Sequence, residues 1–189
     1  KLAIDPIDLR CMNSANEGTR QVLGTLMPKI GFAEVLDAAR KHHHYRSKLD
    51  GPYRGRGVAS GYWGNGSGPS SAVATLNTDG SVSLSEGSPD IGGTRASIAQ
   101  QFAEVLGIPV ERVKPQIVDT DSIGYTSNSA GSGVTHKTGW AAYEAAKEMR
   151  RQLIARAAEL WETDIGRVAF DKGIARCLKG GATLNIQEL

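Results

Sequence analysis

This sequence has little that would mark a metal cluster, a membrane span or a nucleic-acid surface. Its 189 residues include two cysteines, Cys11 and Cys177, too far apart in the chain to form a local pair. Zinc and iron–sulfur sites draw on clustered cysteine or histidine ligands, so neither is suggested. Free buried thiols in a reducing compartment are expected, with a disulfide as the alternative. A net charge of +2 is too small for a phosphate-tracking face. The densest basic stretch, Arg40 to Arg56, reads as a solvated helix end and loop. No apolar run is long enough for a membrane span, and the first residues do not read as a signal peptide. The chain also lacks a nucleophile elbow, a Walker sequence, a zinc-protease motif and the glycine fingerprint of a dinucleotide turn.

The remaining composition is that of a folded protein, 40% hydrophobic and 22% charged. Asp5-Pro6 can open a short helix, because Asp caps the first turn and Pro suits it. Asn16 to Ile30 reads as loop. Phe32, Val35, Leu36 and Ala39 have helical spacing within Gly31 to Tyr45. Gly57 to Trp63 reads as a strand. Ser71 to Leu76 and Ser81 to Leu84 form a hairpin about Asp79-Gly80. A helix follows Thr94 with Ile98, Phe102, Val105 and Leu106 on one face, and Gly107 stands at its C-terminal cap position. Val113 to Val118 is a strand. Thr135 to Trp161 carries a long helical stripe, and two strands flank Asp171-Lys172-Gly173. The expected fold is α+β, a mixed sheet with helices packed on it, as one domain over residues 1–189. The first residues, and a last stretch Ile186 to Leu189 that reads as a helix start, suggest a piece of a longer polypeptide.

Two loops could carry chemistry. In Asp90-Ile91-Gly92-Gly93-Thr94, two glycines between a strand and a helix let the backbone approach a bound group closely. The first-turn N–H groups then favour an anion, although a Gly-Gly turn also serves simply as a turn. The polar run from Asp119 to Thr135 contains Gly131-Ser132-Gly133-Val134 and likewise ends at a helix start. It reads as a ligand loop or as a long capped surface loop. Asp119 and Asp121 could bind a hard cation, but alternate residues of an extended chain point apart, and a cap with a solvated acid is the simpler reading. His42-His43-His44 do not face one point on a helix. His136 reads as solvent-facing or packed. No residue stands out as a general base.

The order of these segments resembles the molybdopterin-binding large subunit of the molybdenum hydroxylases, the xanthine dehydrogenase and aldehyde oxidase family. The resemblance runs from near Leu2 to Leu189. It is carried by Asp5-Pro6-Ile7-Asp8-Leu9-Arg10 with Asn13, by Gly55-Arg56-Gly57 with Tyr62-Trp63, by Ser88 to Pro109, by Asp119-Thr120-Asp121, and by Gly131-Ser132 before Val134-Thr135. The resemblance implies a parent enzyme that hydroxylates aldehydes or N-heteroaromatic rings with oxygen from water. Its cofactor would be molybdopterin with molybdenum, in the cytosine dinucleotide form usual for bacterial relatives. Its partners would be the rest of the large subunit and iron–sulfur and flavin (FAD) subunits or domains, in the cytoplasm, with the periplasm also open.

Carried over residue by residue, the cofactor-binding set is Asp90, Gly92, Gly93, Thr94, Gly131, Ser132, Gly133 and Val134. Two departures stand out. Many members have Gly-Gln-Gly in the first loop, where this chain has Ile91-Gly92-Gly93, and many have Arg where this chain has Gly133. The family's catalytic Glu segment and its metal-facing Gly-Phe-Gly and Arg loops do not occur here, so no catalytic and no metal-ligating residue is expected, and the chain alone is expected to be inactive. Two other readings compete: a non-catalytic binding or assembly module with a degenerate site, and a nucleotide-binding domain of another class. The hairpin before the first loop counts against the latter.

Overall fold

The computed structural model describes residues 2–189, and its contacts gather into two compact units, Lys1–Tyr62 and Trp63–Leu189. The sequence is read as one domain.

The first unit is mostly loop around three helices, α1 (Pro6–Met12), α2 (Phe32–Lys41) and α3 (His43–Arg46). The Asp5 carboxylate starts α1 by accepting the Ile7 amide at 2.8 Å and the Asp8 amide at 3.2 Å, with Pro6 in the first turn. The expected helix from Gly31 to Tyr45 breaks at His42, which turns extended and caps α3 by accepting the His44 amide at 3.2 Å. Apolar burial is slight, with Ile7 and Leu36 its buried hydrophobic side chains. Arginines hold the loops instead: Arg10 donates to the Val58 carbonyl, and Arg56 donates to the carbonyls of Tyr45 and Ser47. Much of the basic stretch is thus tied to its own unit, with Arg40 paired to Asp8 at 2.7 Å. Gly57 to Trp63, expected as a strand, has no strand pairing; its glycines favour irregular backbone, and no neighbouring strand supplies a ladder.

In the second unit, β1 (Ala72–Leu76) and β2 (Val82–Glu86) form the expected hairpin. Asp79 accepts the Ser81 amide at 2.8 Å, and Gly80 takes φ 75°, a left-handed value suited to glycine. Strand β3 (Val113–Ile117) pairs parallel to β2, so the sheet is mixed, in the order β1-β2-β3. Pro115 is tolerated because β3 is an edge strand. The chain between β2 and β3 contains α4 (Thr94–Leu106), which ends on Gly107 at φ 65°. A Cβ there would also lie 2.8 Å from the Lys172 backbone, so glycine is required twice over.

Val82, Leu84, Ile98, Phe102 and Leu106 are buried with the small residues Ala142 and Ala146 of α5 (Val134–Leu160) in one core. The small residues let α4 and α5 approach closely. A second sheet, β4 (Val168–Asp171), β5 (Ile174–Cys177) and β6 (Thr183–Asn185), is antiparallel and packs on α5. The first two strands turn on Lys172 and Gly173, both at positive φ, as a two-residue hairpin requires. Strand β6 was not expected. Ile186 to Leu189, expected to begin a helix, is a turn: Glu188 donates to the Asn185 carbonyl at 3.0 Å while Ile186 buries its side chain. The architecture is α+β with helices on a mixed sheet, as expected. Both cysteines are free; Cys177 is buried, but Cys11 is exposed on α1, contrary to expectation. Among the described residues, no helix is long and apolar enough to cross a membrane.

Candidate cofactor-binding site

The two candidate loops meet. The N-terminal residues of α4 and α5 line one cleft of about 480 Å³, walled by Trp63, Ile91, Thr94 and the run Ser129 to Thr135. This volume lies within the range of small-molecule pockets. No lining residue is acidic, so nothing in the wall repels an anion. In the first turn of α4, among the described residues, the Arg95 amide finds a side-chain acceptor, Asp90 Oδ1 at 3.2 Å. No side chain caps α5. Thr94 of α4 and Val134 and Thr135 of α5 bring both helix starts, the positive ends of their dipoles, to one space, although at α4 the Asp90 carboxylate already takes the Arg95 amide.

Of the eight residues carried over from the resemblance, Thr94, Gly131, Ser132, Gly133 and Val134 line this cleft. Asp90, Gly92 and Gly93 lie beside it in sequence but are not part of its lining. Asp90 turns its carboxylate to its own chain, accepting from Arg95 and from the Thr94 hydroxyl at 3.4 Å. Gly92 (φ 62°) and Gly93 (φ 87°) are both left-handed, and a Cβ on either would meet nothing within 4 Å. The backbone there needs glycine and is open, which fits a group arriving from outside the chain. The second loop is the opposite. Gly66 donates to the Gly131 carbonyl at 2.5 Å, and a Cβ on Gly133 would overlap the Gly66 carbonyl group. The loop is pinned against Gly66 backbone to backbone, which leaves no room for a side chain at position 133.

Buried polar side chains brace the loops from behind. Lys137, almost fully buried, donates to the Ser127 hydroxyl at 2.9 Å and to the carbonyls of Ser127 and Asn128. Thr138, fully buried, bonds Ser88 at 2.5 Å and Ser70 at 2.9 Å. Asp119 accepts the amides of Asp121 and Ser122 and the Ser122 hydroxyl, and the Ser122 hydroxyl bond foremost holds its carboxyl below the usual carboxylate range. It is a turn acceptor. Among the described residues, no group of three or more His, Cys, Asp or Glu gathers to hold a metal.

Sequence reasoning missed Glu86. It continues the inward face of β2 after Val82 and Leu84, at 1% exposure. Its Oε2 has no hydrogen-bond partner among the described residues. Burial pushes the carboxyl up to about 7, the Asp90 charge adds to the shift, and the Arg95 guanidinium opposes it. The alternation along β2 placed position 86 inward, but an acid at a strand end is ordinarily read as the exposed start of a loop. Trp63 and Ile91 were also missed as cleft walls, since neither is polar.

A family model for the molybdopterin cofactor-binding domain matches residues 25–189. The chain belongs to that family. It is 28% identical over 187 residues to the putative xanthine dehydrogenase molybdenum-binding subunit of Escherichia coli (strain K12), a match covering 91% of this chain and 25% of that protein. It is also 28% identical, over 172 residues, to the aldehyde oxidoreductase molybdenum-binding subunit of the same organism, covering 81% and 22%. Among solved structures, it resembles the reconstituted CO dehydrogenase from Oligotropha carboxidovorans with a TM-score of 0.58 and 28% identity over 64% of this chain and 15% of that one. The chain thus spans about a quarter of the length of the curated relatives it matches.

Proposed function

We propose that this chain supplies one wall of the molybdopterin site in an oxidoreductase that hydroxylates aldehydes or N-heteroaromatic compounds with oxygen from water. The observation that carries this reading is the single cleft uniting the first residues of α4 and α5. The backbone of Gly92, Gly93 and Thr94 and that of Gly131 to Val134 would donate to the anionic edges of the cofactor, with Trp63, Ile91 and Val134 as apolar walls. When bound, the cofactor supplies the two-electron redox chemistry of the molybdenum centre. The chain's own residues bind and orient it, Asp90 holds the start of α4, and Lys137 holds the second loop. None of them is a catalytic acid or base.

The cofactor would be the cytosine dinucleotide form, the electrons would leave through iron–sulfur and flavin partners, and the enzyme would work in the cytoplasm. Metal and pterin analysis of the whole protein tests the reading. It is expected to hold molybdenum and pterin in equal amounts and to turn over an aldehyde or a purine with an artificial electron acceptor. The 189-residue chain alone is expected to show no turnover. A whole protein purified free of both components, or turnover by the chain alone, would overturn it.

A further inference from the structure

We infer that Thr138 is a positioning residue, the hub of a buried hydroxyl relay that sets the distance between the two cofactor loops. The functional part of this inference rests on the reading above. The relay itself is a feature of the fold. Thr138 lies one turn into α5, behind the cleft, with no solvent exposure. Its hydroxyl meets Ser88, at the entry to the first loop, and Ser70, at the end of the glycine-rich segment. Ser70 in turn meets Thr126 of the second loop at 3.3 Å, and Thr126 accepts the Ser71 amide at 3.3 Å. Ser88 and Ser70 are therefore tied to Thr138 directly, and the second loop is tied to it through Ser70.

Proton counting shows why the centre matters. A hydroxyl donates once and accepts twice. The three hydroxyl–hydroxyl links consume three of the four protons in the relay, so the chain is fully connected in either direction and one terminal proton remains for a further acceptor. Removing Thr138 breaks two of the three links at once. It also strands Ser88, which at 1% exposure cannot turn to water. The two loops also touch directly at this level: a Cβ on Gly87 would lie 2.8 Å from Thr126 Oγ1. With Thr138 gone, Thr126 keeps its bonds to Ser70 and the Ser71 amide and Lys137 keeps its hold on Ser127, but the relay no longer joins Ser88 to Ser70 and Thr126.

The test uses the whole protein with three substitutions. Thr138→Val keeps the branched shape and removes the hydroxyl. Thr138→Ser keeps the hydroxyl. Leu153→Ala opens the core in the same helix about 22 Å away, at about 1.5 Å per residue. Amide exchange is expected to speed up together at 88–94 and 126–134 in Thr138→Val, and to stay slow at both in Thr138→Ser and Leu153→Ala. Molybdenum and pterin content is expected to fall at least fivefold in Thr138→Val only. Faster exchange at one loop only, or at neither, would overturn the hub. So would equal losses in Leu153→Ala, or no rescue by serine. If the unaltered protein holds no pterin, the functional reading fails, and amide exchange still decides the hub.

Discussion

Arginine at position 133 is expected to empty the cofactor site rather than improve it, and to cost the chain about 3 kcal/mol of stability or more. Many relatives are expected to carry Arg there, so Gly133→Arg would read as a repair. The geometry says otherwise. A Cβ on Gly133 would stand 2.9 Å from the Gly66 carbonyl carbon and 3.3 Å from the Gly66 Cα, and the obstacle is backbone, which cannot rotate aside. Gly131, at φ 63° and equally close to Gly66, cannot absorb the displacement. The segment around Gly66 must therefore leave the second loop, taking one wall of the cleft with it. Thermal unfolding and molybdenum content together check this. An arginine variant with unchanged stability and full molybdenum would show that the Gly66 packing does not hold the loop.

Glu86→Gln is expected to do the reverse and stabilise the chain, by up to about 3 kcal/mol at pH 8 and hardly at all at pH 4. The folded carboxyl titrates at about 7, against an ordinary value of 4.5. Below pH 4.5 both the folded and the unfolded chain hold the proton, so the acid costs nothing. Between pH 4.5 and about 7 the unfolded chain releases it while the folded chain keeps it, and stability falls as pH rises. Above about 7 the full cost of a buried, unpartnered carboxylate is present. Glutamine carries no charge and lacks this slope. The check is the difference in unfolding free energy between the two chains across pH 4 to 8. A difference that is constant with pH would mean that Glu86 is solvated or paired.

Where local chemistry dictates the backbone, the fold is legible in the sequence. Asp5-Pro6, Asp79-Gly80 and Gly107 each mark a cap or turn, and the structure puts one at each. Strand β6 is not legible, because Thr183-Leu184-Asn185 is too short to show a period and forms only because β5 offers an edge. The missing strand at Gly57 to Trp63 is the same lesson reversed: a suggestive alternation without a partner remains irregular.

The site divides in the same way. Both loops announce themselves by glycines before helices, and Thr94 and Gly131 to Val134 line one cleft. Their support is not legible. Ser70, Ser88, Thr126 and Thr138 are common residues at unremarkable spacings, and only the folded chain brings their hydroxyls together. Nor does the sequence explain the glycine at 133, whose cause lies 67 positions earlier at Gly66.

The most direct test of the central claim is a crystal structure of the whole protein purified with its cofactor. The account places the pterin or its phosphate within hydrogen-bond distance of backbone amides in both Gly92 to Thr94 and Gly131 to Val134. Density for the cofactor seated elsewhere, with these two helix starts facing solvent, would contradict it.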